Sequence, residues 1–434
     1  MRTDLRRNFD AIIVGAGPAG SAAAIVLARA GWAVALIEKQ RFPRRKVCGE
    51  CIAASNLPLL DALGIAQAFD ASAGPDLRQV TLLRAHADVT ADLPAADHAR
   101  HPWGRALGRE TLDSLLLEQA RCAGAEVLQP WSVQSIRGAA GAWQCELRAV
   151  ESLTSMRLHA PVVVDAHGSW EALPSARPRR RVGRGPADLF AFKANFTGSS
   201  LREGAISVLA LDGGYGGMVV ADGGVTTLAC CIRRDRLNEL RRASPGLRTG
   251  DAVDAWLRSE CAGVRRSLQG APRDGPWLAC GPLDPGVRVG SNDGIFRIGN
   301  AAGEAHPILG EGISMALQSA ALLCSHLLGC EPFTPAPAEV WHAELQRRYA
   351  ADWNRDFAPR LRLAAVFAHA AMRPRTAALW MPLIRTWPGL LTQGARWGGK
   401  VCLPTQAAQF DRPMMAIAQA DKSGPATPFA THVL

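Results

Sequence analysis

Two cysteines spaced CxxC, Cys48 and Cys51 in "KVCGEC", are residues whose type and spacing could do chemistry. Three readings compete for them. Beside Arg45 and Lys46 a thiolate would be stabilised, which suits a redox dithiol. A zinc half-site would need a second CxxC or a histidine pair to complete four ligands, and neither follows, so no metal site is expected. The third reading makes the stretch part of the bed of a bound cofactor.

Upstream lies a second chemical signature, "FDAIIVGAGPAGSAAAIVLARAGWAVALIEK". An apolar strand, Ala11 to Val14, runs into Gly15, Ala16, Gly17, Pro18, Ala19 and Gly20, and an alanine-rich helix follows to Ala30. A second strand, Ala33 to Ile37, ends at Glu38 and Lys39. Gly15 makes the tight turn, Gly17 lets backbone approach a diphosphate, and Gly20 lets the helix pack closely on the strand. The phosphates then meet free N–H groups at the positive end of the helix. Glu38, 18 residues beyond Gly20, is placed to accept hydrogen bonds from ribose hydroxyls. The pattern predicts a dinucleotide site.

Two distant segments choose the dinucleotide. "GRALGRETLDSLLLEQARCAGAEV" sets Arg109 ahead of an apolar helix face built on Leu112, Leu115 and Leu116. "GIFRIGNAAGEAHPILGEGISMALQSAALLCSHLLG" reads as a short strand (Ile295 to Ile298), a second glycine-rich turn and a long helix from Gly312. Such a turn adds another set of backbone donors, suited to an extended cofactor with electron-rich ring oxygens. Together these segments resemble the FAD-dependent group that contains geranylgeranyl reductases, flavin-dependent halogenases and aromatic hydroxylases of the p-hydroxybenzoate hydroxylase type. The resemblance covers residues 8 to about 330.

It implies an α/β fold: an FAD/NAD(P)-binding, glutathione-reductase-like Rossmann domain with an inserted β-rich substrate domain and a helical C-terminal region. Residues 8–75, 101–177 and 286–330 would bind FAD, 76–100 and 178–285 would form the substrate domain, and 331–434 the helical region. The group's RxxLDxxL pattern maps a phosphate-side arginine to Arg109. Its late GDAAGxxxPxxGEG pattern, which wraps ribitol and ring, maps to Gly299, Asn300, Ala301, Ala302, Gly303, Pro307, Gly310, Glu311 and Gly312, with Ile313 next. A reductase-like "PRxKxCG" segment is matched closely by Phe42 to Glu50, so Cys48 and Gly49 would border the flavin, with Arg45 and Lys46 in the motif and Cys51 an incidental second thiol.

Three departures matter. The group's aspartate in the late turn is Asn300, which still offers an oxygen to ribitol. The usual "ADG" is Ala166-His167-Gly168, which weakens direct use of NADPH and leaves NADPH, a separate flavin reductase or ferredoxin as candidate donors. His167 is either a structural histidine or a group near the cofactor. A loose match to the group's YxWxFPxxxG stretch keeps Tyr215 as a substrate-side residue and replaces the other positions. The halogenase lysine has no counterpart, since no lysine lies between Lys46 and Lys193 and no WxWxIP occurs.

The expected function is an FAD-dependent oxidoreductase acting on an apolar or aromatic small molecule: a tailoring reductase or hydroxylase (monooxygenase) in polyketide or isoprenoid secondary metabolism. Alternatives are a flavin-dependent halogenase and an FAD-binding protein without redox turnover. In the reductase reading Cys48 protonates the substrate. In the monooxygenase reading the reaction runs in a water-poor pocket near His306 and Pro307, with His306 a proton shuttle or simply a turn residue.

The elements that must position these groups fit the composition. With 434 residues, 48% of them hydrophobic, the chain can bury a large core in two or three domains. "DLFAFKANFTG", "GAISVLALDGGYGGMVVADGGVTTLACCI" and "GPWLACGPL" alternate like strands of a mixed or antiparallel sheet that would roof the flavin. Eleven scattered cysteines suit thiols in a reducing compartment, and the N-terminal stretch passes into a strand without a signal-peptide pattern, so a cytoplasmic location is expected. The net charge of +10 rests on 44 arginines and five lysines; without a nucleic-acid motif it reads as a solvated face plus arginines aimed at an anionic cofactor. The apolar stretch 377–397 is either a helix packed on the core, a cap over the pocket or a contact with a membrane surface.

Overall fold

The computed structural model describes residues 7–98, 100–169, 173–174, 185–290, 293–329 and 338–397. Its centre is a five-stranded parallel sheet in the order Phe296–Arg297, Val162–Asp165, Ala11–Val14, Val34–Ile37, Glu126–Leu128. Every residue of Ala11–Val14, Val34–Ile37 and Val162–Asp165 is buried, as parallel strands covered on both faces require. Helices Pro18–Arg29, Arg109–Cys122 and Gly312–Gly329 cover one face, and a three-stranded antiparallel sheet over 131–160 covers the other.

A second, seven-stranded mixed sheet runs Arg273–Cys280, Leu189–Phe196, Thr226–Arg233, Gly214–Val220, Ala205–Leu211, Gln79–Arg84, Ala87–Asp92. The two-residue period of a strand divides its side chains. Phe192, Ala194 and Phe196 pack with Val253, Trp256 and Leu257 of the helix Thr249–Glu260 behind the sheet. Leu189, Ala191 and Lys193 alternate with them on the opposite face. Register sets Cys280, Ala191, Cys231 and Tyr215 side by side in one row across four strands.

Gly312–Gly329 is the one described helix long and apolar enough, by composition, to cross a bilayer, yet its side chains are mostly buried against the helix Pro18–Arg29, which makes it a core helix. The 35-residue helix Ala338–Met372 docks by one face, with Leu345, Tyr349, Trp353 and Phe357 in the main core. Tyr349 also donates to the Arg297 carbonyl at 2.7 Å. Two histidines are buried by this packing. His342 is 2% exposed and pushed down to about 4 by burial; His306 is 7% exposed and pushed down to about 4 by burial and by His369.

The sign of the linkage follows directly. Both histidines are harder to protonate folded than unfolded, so their contribution is intact above about pH 6.5 and is lost as pH falls toward 4. Each group lowers unfolding free energy by about 1.4 kcal/mol per pH unit in that window. Urea titrations between those limits should show this slope, and His342→Leu should remove about half of it.

Candidate cofactor cleft and active site

The glycine turn is built by close approach. Gly15 has φ +104°, and a Cβ there would meet the Ala166 carbonyl at 2.6 Å; a Cβ on Gly20 would sit 1.8 Å from the Gly15 oxygen. Gly17 caps the helix Pro18–Arg29 with no side chain, and Pro18 occupies its first position. The Glu38 carboxylate is pinned beneath, accepting the Ala16 N–H at 3.0 Å and the Gln40 N–H at 2.9 Å. It keeps further lone pairs for ribose hydroxyls.

Around this turn the charges do not balance within the protein. Arg109 forms a two-point pair with Asp113, 2.7 and 2.8 Å, both buried. Arg44 lies 3.3 Å from Asp113 and 3.8 Å from Glu38. Lys46 is half-buried and pushed down to about 8, by burial first and then by Arg109 and Arg44. Burial acts to lower Arg109, but Asp113 and the Cys48 sulfur outweigh it, so the guanidinium is held above its ordinary value. Three cations thus face two carboxylates, Glu38 and Asp113, and an anion is needed to complete the set. A cleft of about 330 Å³ runs here from Glu38, Lys39 and Trp131 past Gly15 to Arg45, Lys46, Val47 and Cys280. His167 lines it; its Nδ1 is bound to Asp165, and its buried Nε2 has no hydrogen-bond partner among the described residues. The residues present therefore fit the diphosphate and ribose of FAD. A larger groove, about 620 Å³, on the other side of the Arg109–Cys122 helix does not, because it is lined by Glu110, Asp222 and Asp274, with Arg45 held between Glu110 and Asp274.

The second glycine turn is held by its neighbours. Gly299 donates to Ser319 Oγ at 2.7 Å, Arg288 donates to the Asn300 carbonyl at 2.8 Å, and Asn300 Nδ2 donates to Ser169 Oγ at 2.8 Å, which leaves the Asn300 side-chain oxygen for ribitol. Gly303 touches Trp353: a Cβ would lie 2.3 Å from its ring. Pro307 opens a short turn closed by Gly310 at φ +63°. The Glu311 carboxylate, read from sequence as a cofactor ligand, is instead bound by Arg360, because a carboxylate 1% exposed needs a cation; the backbone of 310–313 is what remains to face a ring.

The "KVCGEC" loop joins the two sheets through Glu50, a motif residue to which the sequence assigned no role. Glu50, at φ +59° and 2% exposed, binds Lys193 Nζ, the Thr227 hydroxyl and the Arg109 N–H, the last at 2.9 Å. Asp222 adds a second carboxylate at the same helix end, accepting from Gly108 N–H at 2.8 Å and from the Thr111 hydroxyl at 2.7 Å. Both carboxylates complement the positive end of the helix that carries Arg109. Cys48 accepts the Glu50 N–H at 3.3 Å, and Cys51 sits in a two-residue ladder with Ala106; neither is in a disulfide. Gly49 is exposed.

On the sheet side, Tyr215 and His306 meet at 3.3 Å, Tyr215 Oη to His306 Nδ1, and the His306 ring packs edge-on to His369, 5.6 Å between centroids. Leu189, Ala191, Cys231, Leu283, Ala368 and Met372 surround them with apolar atoms, and Val47 and Ile308 close the cluster toward the flavin loop and the second turn. Burial pushes Tyr215 well up, with Cys231 and Glu304 adding to it, and pushes Cys231 and Cys280 up to about 12. These are neutral acids inside a close-packed apolar cluster. His369 lay outside the sequence reading; its signal was only its place one turn before Met372 on a long amphipathic helix. Cys48 is not part of this group.

Two expectations follow. Lys46 becomes easier to protonate when phosphate arrives, so binding takes up a proton above about pH 8. The Kd for FAD should rise about 10-fold per pH unit above that value, and Lys46→Met should bind about 10-fold more weakly at neutral pH and lose the slope, by fluorescence titration of stripped protein. Lys193→Met leaves Glu50 buried without its cation and should cost about 3–5 kcal/mol of stability in urea, whereas Glu50→Leu combined with Lys193→Met should recover most of it.

Comparison with known proteins agrees with this geometry. Residues 8–226 match the FAD binding domain family. A menaquinone reductase of Mycolicibacterium smegmatis is 25% identical over 92% of this chain and 96% of its own length. Conditioned medium factor receptor 1 of Dictyostelium discoideum is 26% identical over 72% of this chain, and the match spans 62% of that relative's length. Among solved structures, the myxobacterial chondrochloren halogenase superposes with TM-score 0.67 and 18% identity over 95% of this chain and 98% of that one, a likeness of fold. With its glycine turns, its phosphate-side cations and a match over half its length, this chain belongs to the FAD-binding domain family of flavoprotein oxidoreductases.

Proposed function

We propose that the protein is an FAD-dependent reductase that saturates an activated double bond in an apolar small molecule of the isoprenoid or polyketide class. The observation that carries this reading is the buried Tyr215–His306 pair within an apolar cluster, with His306 on the loop between the two parts of the second glycine turn. FAD, when reduced, supplies hydride. The chain supplies the rest. Leu189, Ala191, Leu283 and Met372 hold an apolar substrate and exclude water. Tyr215 stays a neutral phenol, and its proton is shared with the neutral His306 ring, so the pair can hold and deliver a proton at Tyr215 Oη. This replaces Cys48 as the proton donor, since Cys48 lies with Glu50 and Arg109.

The full-length likeness to a menaquinone reductase supports an apolar isoprenoid-bearing substrate. Among the described lysines, Lys193 is bound to Glu50 and Lys46 faces the cofactor cleft, which argues against a halogenating lysine at the chamber.

Anaerobically reduced protein, mixed in stopped flow with short-chain prenylated naphthoquinones, should reoxidise its flavin with saturated product formed. Mixed with oxygenated buffer alone, it should reoxidise without a long-lived adduct; a persistent adduct would turn the assignment to a monooxygenase. Tyr215→Phe and His306→Ala should each slow substrate-linked reoxidation about 100-fold at unchanged FAD content. The wild-type rate should be flat between about pH 5 and 8, because His306 remains neutral throughout.

A further inference from the structure

The C-terminal helices present a surface at odds with a protein bathed only in water. In Pro374–Thr386 and the following Gly389–Trp397, Met381 is buried while Leu379 (77% exposed), Trp380 (50%), Trp387 (61%) and Leu390 (40%) face outward. Exposed Arg373, Arg385 and Arg396 flank them. The sequence adds an independent feature: between Asp356 and Asp411 there is no aspartate or glutamate, while six arginines and one lysine occur. Among the described residues, Arg360 at the start of this stretch is bound to Glu311. Tryptophan and leucine projecting beside arginine, on helices that carry no carboxylate of their own, is the composition that inserts shallowly at a lipid headgroup boundary and is drawn there by anionic lipid.

We propose that this helix pair docks the protein on an anionic bilayer surface. Charge complementarity favours that occupant over a second copy of the chain, whose facing patch would be equally cationic. It is favoured over nucleic acid by the outward leucines and tryptophans, which a phosphate backbone does not reward. The pair is held in place at both ends: the Gly213 N–H donates to the Met372 carbonyl at 3.1 Å, and the Thr392 hydroxyl donates to the Asp92 carbonyl at 2.6 Å. Ala368, His369 and Met372, the last turn before the pair, pack around Tyr215 and His306, so the docking helices follow directly on the helix that reaches that cluster. Docking does not depend on the reaction proposed above, and its test needs no turnover.

Full-length, FAD-loaded protein is sedimented with vesicles of phosphatidylglycerol and phosphatidylcholine, or of phosphatidylcholine alone. Binding to the anionic vesicles should be about 10-fold tighter than to the neutral ones and should weaken as salt is raised. Leu379→Ser, Trp380→Ser and Trp387→Ser together should weaken it at least about 10-fold while FAD content and melting temperature stay unchanged. Replacing Arg373, Arg385 and Arg396 by glutamine should cost about 5-fold each on anionic vesicles and little on neutral ones. Brominated acyl chains should quench tryptophan fluorescence in the wild type and not in the triple serine variant. Failure of the wild type to sediment, or equal binding by the serine variant, overturns the proposal. So does a wild-type dimer in analytical ultracentrifugation that the serine substitutions dissolve, which would make a second copy the occupant. Binding gained only on deletion of residues 398–434 would assign the patch to that segment instead.

Discussion

A buried ion pair between Glu50 and Lys193 is the constraint on which the arrangement of the two sheets rests. Taking both charges out of water is costly, and neither is tolerable alone, so the loop after the second strand and the strand Leu189–Phe196 cannot separate without stranding one of them. The same carboxylate takes the Arg109 N–H and the Thr227 hydroxyl, so one residue fixes the flavin loop, the start of the phosphate-side helix and the floor of the seven-stranded sheet together. Because Lys193, Ala191 and Leu189 share a face, the ion pair also orients the apolar wall of the chamber.

From this junction the interior divides into two electrostatic regimes. The cleft by the first glycine turn holds more positive than negative charge and is incomplete until an anion enters. The cluster under the sheet is the reverse: Tyr215, Cys231 and Cys280 are pushed upward and His306 downward, toward their neutral forms, because apolar side chains have replaced water around them. The charged cleft and the apolar cluster thus adjoin, with Val47 and Cys280 at the boundary.

What could be read from sequence follows the range of the interactions involved. The strand, glycine turn and helix around Gly15, Gly17 and Gly20 are local, and their spacing reports the backbone geometry directly. The second turn from Gly299 to Gly312 was legible for the same reason. The Arg109 assignment came from a motif, although its partner Asp113, one helical turn on, was visible in the same stretch. Glu50 and Lys193 lie 143 residues apart, and Glu311 and Arg360 lie 49 apart; neither pair has a period or a motif linking its members. Cys48 lies with Glu50 and Arg109, a placement its spacing could not report, because spacing sets a thiol near a cofactor without saying which part of it the sulfur faces.

The helix Ala338–Met372 makes the two regimes interdependent. Leu345, Tyr349, Trp353, Phe357, Leu361, Ala364, Ala368 and Met372 recur at three- and four-residue intervals and are all buried, so the whole face is locked in one register. Along it, Trp353 packs on Gly303 of the second glycine turn, Arg360 binds Glu311 at the turn's far end, and His369 and Met372 reach the chamber. A rigid rod that touches the cofactor turn and the substrate wall in succession cannot shift at one without shifting at the other. Since close-packed interfaces slide by whole turns rather than by fractions, the geometry between the second turn and Tyr215–His306 is set by the register of this one helix, although it lies outside both sheets.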